Sequence, residues 1–113
     1  MSERATKLLL QDILDSASKI IKYTENITFD EFIADSKTID AVVRNYGIIG
    51  EASNRLPDEI KDKISTVDWF RIRGFRNRIA HEYFGIDHQI IWQLKETYLK
   101  SLISEIQTVL NKY

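Results

Sequence analysis

The segment from Arg76 to Tyr83 reads Arg-Asn-Arg-Ile-Ala-His-Glu-Tyr and combines groups that can bind an anion with one that can move a proton. Histidine titrates near neutral pH and can therefore act as a general acid or base. Arginine can stabilise the charge that develops on a phosphate during phosphoryl transfer. RNA carries its own nucleophile in the 2′-OH, so cleavage of RNA by Arg76 and His81 would need no metal ion.

A continuous helix through this segment would set the relative directions of its side chains. Arg76 and Tyr83 are seven residues apart and would lie about 20° from each other on one stripe. Asn77 and His81 are four apart, so the amide could orient the imidazole. His81 lies about 140° from Arg76 around the axis. One helix face alone does not direct both groups at the same atom. The length of the arginine side chain, a distortion near Gly85 or a symmetry-related copy would be needed, and the last would give a composite site built from two subunits.

Other chemistries have weaker support. A metal site from His81, Glu82, Asp87 and His88 is interrupted by Gly85, which also stands where a zinc-protease motif needs its second histidine. The serines lack a nucleophile-elbow context, and no glycine-rich phosphate loop indicates a nucleotidyltransferase or NTPase. We therefore expect no metal and no cofactor. A single histidine near a helix end can also be merely structural.

Arginines are concentrated near this segment. Arg71, Arg73, Arg76 and Arg78 lie between Trp69 and His81 with no acidic residue. The planar guanidinium suits bidentate phosphate contacts, so the first, second and fourth of these are predicted RNA contacts, with a solvated helix face as the alternative. Their spacing does not place all four on one face. Four nearby aromatic side chains are expected in the core rather than stacked on bases: Trp69, Phe70, Phe75 and Trp92.

Composition limits the class of protein. The 113 residues carry a formal net charge of −1 and no cysteine, which excludes disulfides, thiolate zinc sites and cysteine nucleophiles. No apolar run approaches the roughly 18 residues of a membrane span, and the N-terminus does not resemble a signal peptide. We expect one cytoplasmic domain over residues 1–113, without a membrane partner.

Hydrophobic periodicity predicts helices throughout the chain, because one proline and four glycines leave few breaks. The result is an all-α bundle of four main helices with one or two short ones. The predicted helices are Ser2 (cap) to Tyr23, a capping box at Thr28 to Glu31 opening a helix through Ile33, Ser36 (cap) to about Leu56, Pro57 to about Ile64, Asp68 to Tyr83, and His88 to about Asn111.

Two glycines fall inside the helix predicted from Ser36. Gly47 and Gly50 each cost about 1 kcal/mol relative to alanine in a helix interior. A close approach of another helix would explain that cost, and weak local packing is the alternative.

The whole pattern resembles the HepT-like family of the HEPN superfamily, the toxins of HepT/MntA toxin–antitoxin pairs. The likeness spans nearly the whole chain and depends on blocks that occur together. These blocks are Leu8–Leu14, Tyr23-Thr24, Phe29–Phe32, Ala41–Asn45, Ile48–Ala52, Leu56-Pro57, Trp69, Gly74–Asn77, His81–Gly85 and Ile91-Trp92.

The resemblance implies a homodimeric, HEPN-like up-and-down bundle and a metal-independent endoribonuclease with its Arg-x4-His-x-Tyr site in a cleft between subunits. Arg76 would stabilise the phosphate, His81 would be the general acid/base, and Asn77 would support them. The substrate would be tRNA or mRNA. In a type VII-like pair, an MntA-type minimal nucleotidyltransferase would neutralise the toxin by attaching AMP to Tyr83.

The chain departs from the family pattern at two places. Gly47 stands where an acidic residue is expected, and Arg71 and Arg73 make the approach to the motif more basic. Arg44 and Glu51 belong to a matching block, where a buried or inter-subunit ion pair explains them as well as a role in the site. The alternative function is a non-catalytic helical scaffold or substrate-binding subunit of a two-component nucleotidyltransferase.

Overall fold

The computed structural model describes residues 1–81 and 87–113, with the backbone alone for residues 80 and 81. This part of the chain is helical without a strand, which confirms the all-α prediction there. Its helices are α1 (Glu3–Tyr23), α2 (Phe29–Ile33), α3 (Ser36–Arg55), α4 (Asp58–Lys63), α5 (Trp69–His81), α6 (His88–Leu94), a π-helical segment (Lys95–Leu99) and α7 (Lys100–Leu110).

Side-chain caps begin several of these helices. The Ser2 hydroxyl accepts the Ala5 N–H at 3.1 Å. Thr28 and Glu31 form the predicted capping box, with reciprocal bonds of 3.1 and 2.9 Å. Both caps confirm the sequence prediction. They could be predicted because each depends only on residues within one helical turn.

The cap of α3 was placed one residue too late. Asp35 is the N-cap and Ser36 is the first helical residue. The Asp35 carboxylate accepts the Thr38 backbone N–H at 3.2 Å and the Thr38 hydroxyl at 2.6 Å. A carboxylate has two acceptor oxygens and can satisfy both donors, which explains why it takes the position.

The last predicted helix is not regular. A π-helical segment, Lys95–Leu99, separates α6 from α7. The segment carries Tyr98, whose hydroxyl accepts the Asp68 N–H at 2.9 Å and donates to the Asp68 carbonyl at 3.1 Å. Burial raises the pKa of Tyr98. The residue that precedes α5 is thereby tied to the last part of the chain.

The buried residues form one core. Helix α1 packs against both α3 and α7. Helix α3 packs against α1 and against α5. Phe32 of α2 is fully buried with its ring centroid 5.2 Å from that of Trp92. Helix α3 is therefore the element that positions α5.

Candidate active site

Helix α5 is anchored through its apolar side. Ile72 is buried, and the Trp69 indole N–H donates to the Ile64 carbonyl at 3.2 Å. The Phe75 ring meets Tyr46 of α3 edge-on, with centroids 5.2 Å apart. These contacts leave the arginines of α5 facing solvent or α3.

Tyr46 connects three helices at this point. Its hydroxyl donates to the Ile91 carbonyl of α6 at 3.0 Å, and its ring supports Phe75 of α5. Burial raises the pKa of Tyr46 far above its ordinary value, so the phenol stays neutral. Tyr46 therefore helps to hold α5 in place and keeps its phenolic proton near neutral pH.

The crossing of α3 and α5 lies at Gly50 and Arg76. A Cβ on Gly50 would overlap the Cβ and Cγ of Arg76. A Cβ on Gly47 would meet no atom within 4 Å, and this glycine lines a surface groove beside Arg44. The predicted close approach is confirmed at Gly50 and wrong at Gly47, because only Gly50 faces the crossing helix.

The guanidinium of Arg76 is held by two side chains. Its Nη2 forms an ion pair with Glu51, the residue that follows Gly50. Its Nη1 donates to the Asn77 Oδ1 at 3.2 Å. The side chain of Arg76 is 29% exposed and that of Glu51 is 48% exposed. Glu51 therefore pairs with Arg76 of its own chain, and the idea of a buried pair for Glu51 is wrong because its side chain is half exposed. An inter-subunit pair stays a prediction.

This arrangement pre-orients a cation that is still accessible. The two contacts use two of the five N–H groups that a guanidinium carries. A side chain already fixed loses less conformational entropy when an anion binds. The site can therefore present a planar hydrogen-bond donor to a phosphate.

The other three arginines lie on more than one face of α5. Arg71, Arg73 and Arg78 are all exposed. Arg71 and Arg78 line one groove together, whereas Arg73 lies about 160° from Arg71 around the helix axis. The structure thus confirms that the four arginines do not all share one face of α5.

The remaining predicted site residues, His81 and Tyr83, lie at or beyond the end of the described part of α5. Helix α5 extends through His81, so the helical register assumed between Arg76 and His81 holds, with about 140° between them. The His81 side chain and Tyr83 lie outside the described residues. Whether Asn77 orients the imidazole therefore stays a prediction, and in the structure its amide oxygen contacts Arg76.

Phe70 contradicts the expectation for the aromatic residues. Trp69, Phe75 and Trp92 pack against the core, but Phe70 is 86% exposed. Position 70 lies about 160° from the buried Ile72 on the helix, so it faces away from the core. The helical positions of residues 70 and 72 in the sequence could have identified Phe70 as exposed.

Sequence reasoning did not connect Glu51 and Gly50 with Arg76. Glu51 and Arg76 are 25 residues apart, and no local pattern links the two blocks that contain them. The presence of both blocks in one chain was the only indication in the sequence that they could be connected. The crossing of α3 and α5 explains why they occur together.

The described residues contain neither a metal-binding cluster nor a membrane span. In residues 1–79 and 87–113, no group of three or more His, Asp or Glu side chains is arranged to hold a metal ion. The cluster considered from His81 to His88 falls largely outside the described residues. No helix in the described ranges is both long and apolar enough to cross a membrane.

Comparison with known proteins assigns the chain to a family. The family profile described as Ribonuclease HepT-like matches residues 13–109. The chain belongs to this HepT-like family.

Individual relatives agree over most of their length. "Putative RNase MJ1380" of Methanocaldococcus jannaschii is 37% identical over 96% of this chain and 100% of its own. "Putative RNase MJ0127" of the same organism is 36% identical over 97% and 91%, respectively. "Probable ribonuclease HepT" of Thermococcus cleftensis is 34% identical over 88% and 91%. No solved structure matches.

Proposed function

We propose that this protein is a metal-independent endoribonuclease whose site comprises Arg76 and His81, with Asn77 in support. The observation that carries the proposal is the guanidinium of Arg76, fixed by Glu51 and Asn77 five residues before a histidine on the same helix. Membership of the HepT-like family supports RNA as the substrate. The RNA is tRNA or mRNA.

The chemistry follows from the roles of the two side chains. His81 takes the proton from a ribose 2′-OH, and the 2′-oxygen attacks the adjacent phosphorus. Arg76 stabilises the negative charge that accumulates on the phosphate oxygens. The bond to the 5′-oxygen breaks, and that oxygen receives a proton from the protonated imidazole, which returns His81 to its starting state. The products are a 2′,3′-cyclic phosphate and a 5′-hydroxyl.

A homodimer completes this proposal. Arg76 and His81 lie about 140° apart on α5, so a single copy of the helix does not direct both at one phosphodiester. Two copies of α5 across a cleft would supply an arginine from one subunit and a histidine from the other. Arg71, Arg73 and Arg78 would extend the cationic surface along the RNA.

The regulatory part of the proposal is a type VII-like toxin–antitoxin pair. The partner is an MntA-type minimal nucleotidyltransferase, which transfers AMP from ATP to the phenolic oxygen of Tyr83 and releases pyrophosphate. The adduct adds bulk and negative charge to the motif segment and repels RNA phosphates. Intact-mass spectrometry after incubation with the partner and ATP would show added AMP units, and Tyr83→Phe would abolish them.

The deciding experiment is cleavage of a mixed tRNA and mRNA pool in EDTA, with wild type and His81→Ala purified identically. We expect wild type to cut and leave 2′,3′-cyclic ends, while His81→Ala is inactive and keeps its dimer. The paired variant controls for contaminating nucleases. Equal background in both, with Tyr83 shown to be unmodified, would reject the nuclease and favour the scaffold subunit.

A further inference from the structure

A groove between α5 and α6 lies on a different face of α5 from Arg76. Its volume is about 520 Å³. Its lining includes Phe70, Arg71, Gly74 and Arg78 on α5, with Ile90 and Gln93 of α6 opposite.

Phe70 is the unusual side chain of this groove. The ring is 86% exposed although α5 buries other aromatic groups against the core. An exposed aromatic face beside cations is the arrangement on which single-stranded nucleic acids stack their bases, and every base can use it. The apolar Ile90 and the amide of Gln93 opposite could contact the second face and the edge of a base.

Gly74 keeps the floor of the groove open. It lies one turn after Phe70 and inside α5, where glycine costs about 1 kcal/mol relative to alanine. A Cβ at Gly74 would meet no atom within 4 Å, so internal packing does not require glycine there. A larger side chain would instead project into the groove beside the Phe70 ring.

The charges of the groove suit a polyanion. Arg71 and Arg78 are seven residues apart and lie on one stripe, separated by about 10 Å along the helix axis. The carboxylate of Asp68, at the rim, already accepts the Arg71 backbone N–H at 3.0 Å. Two guanidinium groups along a groove can follow successive phosphates of one strand.

The groove also lies in line with the proposed catalytic histidine. Position 81 follows position 70 by 11 residues, which places it within about 20° of Phe70 and about 16 Å further along the axis. A strand that follows this face of α5 would pass from Phe70 to position 81 within a few nucleotides.

We propose that this groove binds an unpaired nucleobase of single-stranded RNA, stacked on Phe70, with the flanking phosphates on Arg71 and Arg78. The inference rests on the proposed ribonuclease function and specifies its substrate as RNA unpaired a few nucleotides from the cut. A base inside a duplex is already stacked on its neighbours and cannot enter.

The test uses the wild-type protein and 2′-O-methyl oligonucleotides, which lack the nucleophile and stay intact. Three fluorescent probes of equal length are compared by anisotropy: a single strand, a duplex and a base-free sugar–phosphate chain. We expect Phe70→Ala to weaken binding of the single strand about tenfold and to leave the base-free chain unchanged. Phe70→Trp should retain binding, whereas Phe70→Leu should not. Gly74→Leu should also block the base.

Two variants serve as controls. Leu8→Ala removes another exposed apolar side chain, on α1, and should change no affinity. Arg71→Gln should weaken all three probes and reduce the slope of affinity against salt by about one. Sedimentation of each variant reports its oligomeric state.

Each other outcome overturns the inference in a distinguishable way. Unchanged binding by Phe70→Ala and Gly74→Leu, with cleavage intact, removes the base site and leaves the nuclease. A changed oligomeric state in Phe70→Ala, or full retention of binding in Phe70→Leu, makes Phe70 a protein contact. A wild type that neither binds the probes nor cuts RNA removes the proposed function and this inference together.

Discussion

Arg76 packs its Cβ against Gly50, and the same crossing brings its guanidinium to Glu51, the next residue of α3. The absent side chain at Gly50 and the charge at Glu51 therefore act on one residue of α5. Glycine provides the space for the close approach, and the carboxylate sets the direction of the cation. The proposed phosphate-binding group is thus positioned by a helix other than its own.

The two glycines of α3 should respond oppositely to alanine. Gly50→Ala places a methyl group on Arg76, and we expect it to lower the free energy of unfolding by about 1–3 kcal/mol. Gly47→Ala meets no neighbour and should raise it by about 0.4–1 kcal/mol. Urea denaturation of both variants measures these changes. Equal shifts in the two would contradict the described crossing.

Glu51→Gln should reduce catalysis more than stability. A partly exposed ion pair contributes about 0–1 kcal/mol to folding, so the melting temperature should barely change. The neutral amide holds Arg76 less firmly, and we expect kcat for RNA cleavage to fall roughly 3–10-fold with KM little changed. Glu25→Gln, at an exposed turn, is the matched control. A change confined to KM would show that Glu51 does not position Arg76 for the reaction.

The N-cap of α3 predicts a dependence of stability on pH. Hydrogen bonds from the Thr38 hydroxyl and backbone N–H lower the pKa of Asp35. Its contribution is present at neutral pH and is lost as the pH falls below about 4 and through the lowered folded-state pKa. Asp35→Ala should therefore melt at a lower temperature than wild type at pH 7, with the gap closing in acid. Ser36→Ala is the control, and a larger loss in it would restore serine as the cap.

Two tyrosines predict loss of stability in alkali. Burial raises the pKa of Tyr46 and of Tyr98, so the folded chain holds these protons more tightly than the unfolded chain. Their contribution is complete below about pH 10 and declines as the pH rises through the raised values. Chemical denaturation between neutral and alkaline pH should show this decline.

Removing the Tyr46 hydroxyl separates its two effects. Tyr46→Phe leaves the Ile91 carbonyl without its 3.0 Å hydrogen bond and should cost about 1–2 kcal/mol at neutral pH. It should also make the alkaline decline shallower. Tyr23→Phe, at an exposed tyrosine, should do neither. An alkaline decline identical to that of wild type in Tyr46→Phe would exclude this tyrosine as its source.

The amino-acid sequence by itself determined the helices and most of their ends. Apolar periodicity and the caps at Ser2 and Thr28 operate within one or two turns, so they can be identified without a tertiary structure. The cap at Asp35 was missed because aspartate and serine are both good caps, and the two donors of Thr38 decided between them. The π-helical segment around Tyr98 has no local signature of comparable strength.

Only the tertiary structure decided how the site is assembled. Arg76 was identified from its motif, but its partner Glu51 lies 25 residues away, and an ion pair at that separation depends on how two helices cross. The crossing is set by where a neighbouring backbone can approach, which distinguishes Gly50 from Gly47. Helix formation is a local property of the chain, whereas side-chain encounters depend on the packing of distant elements.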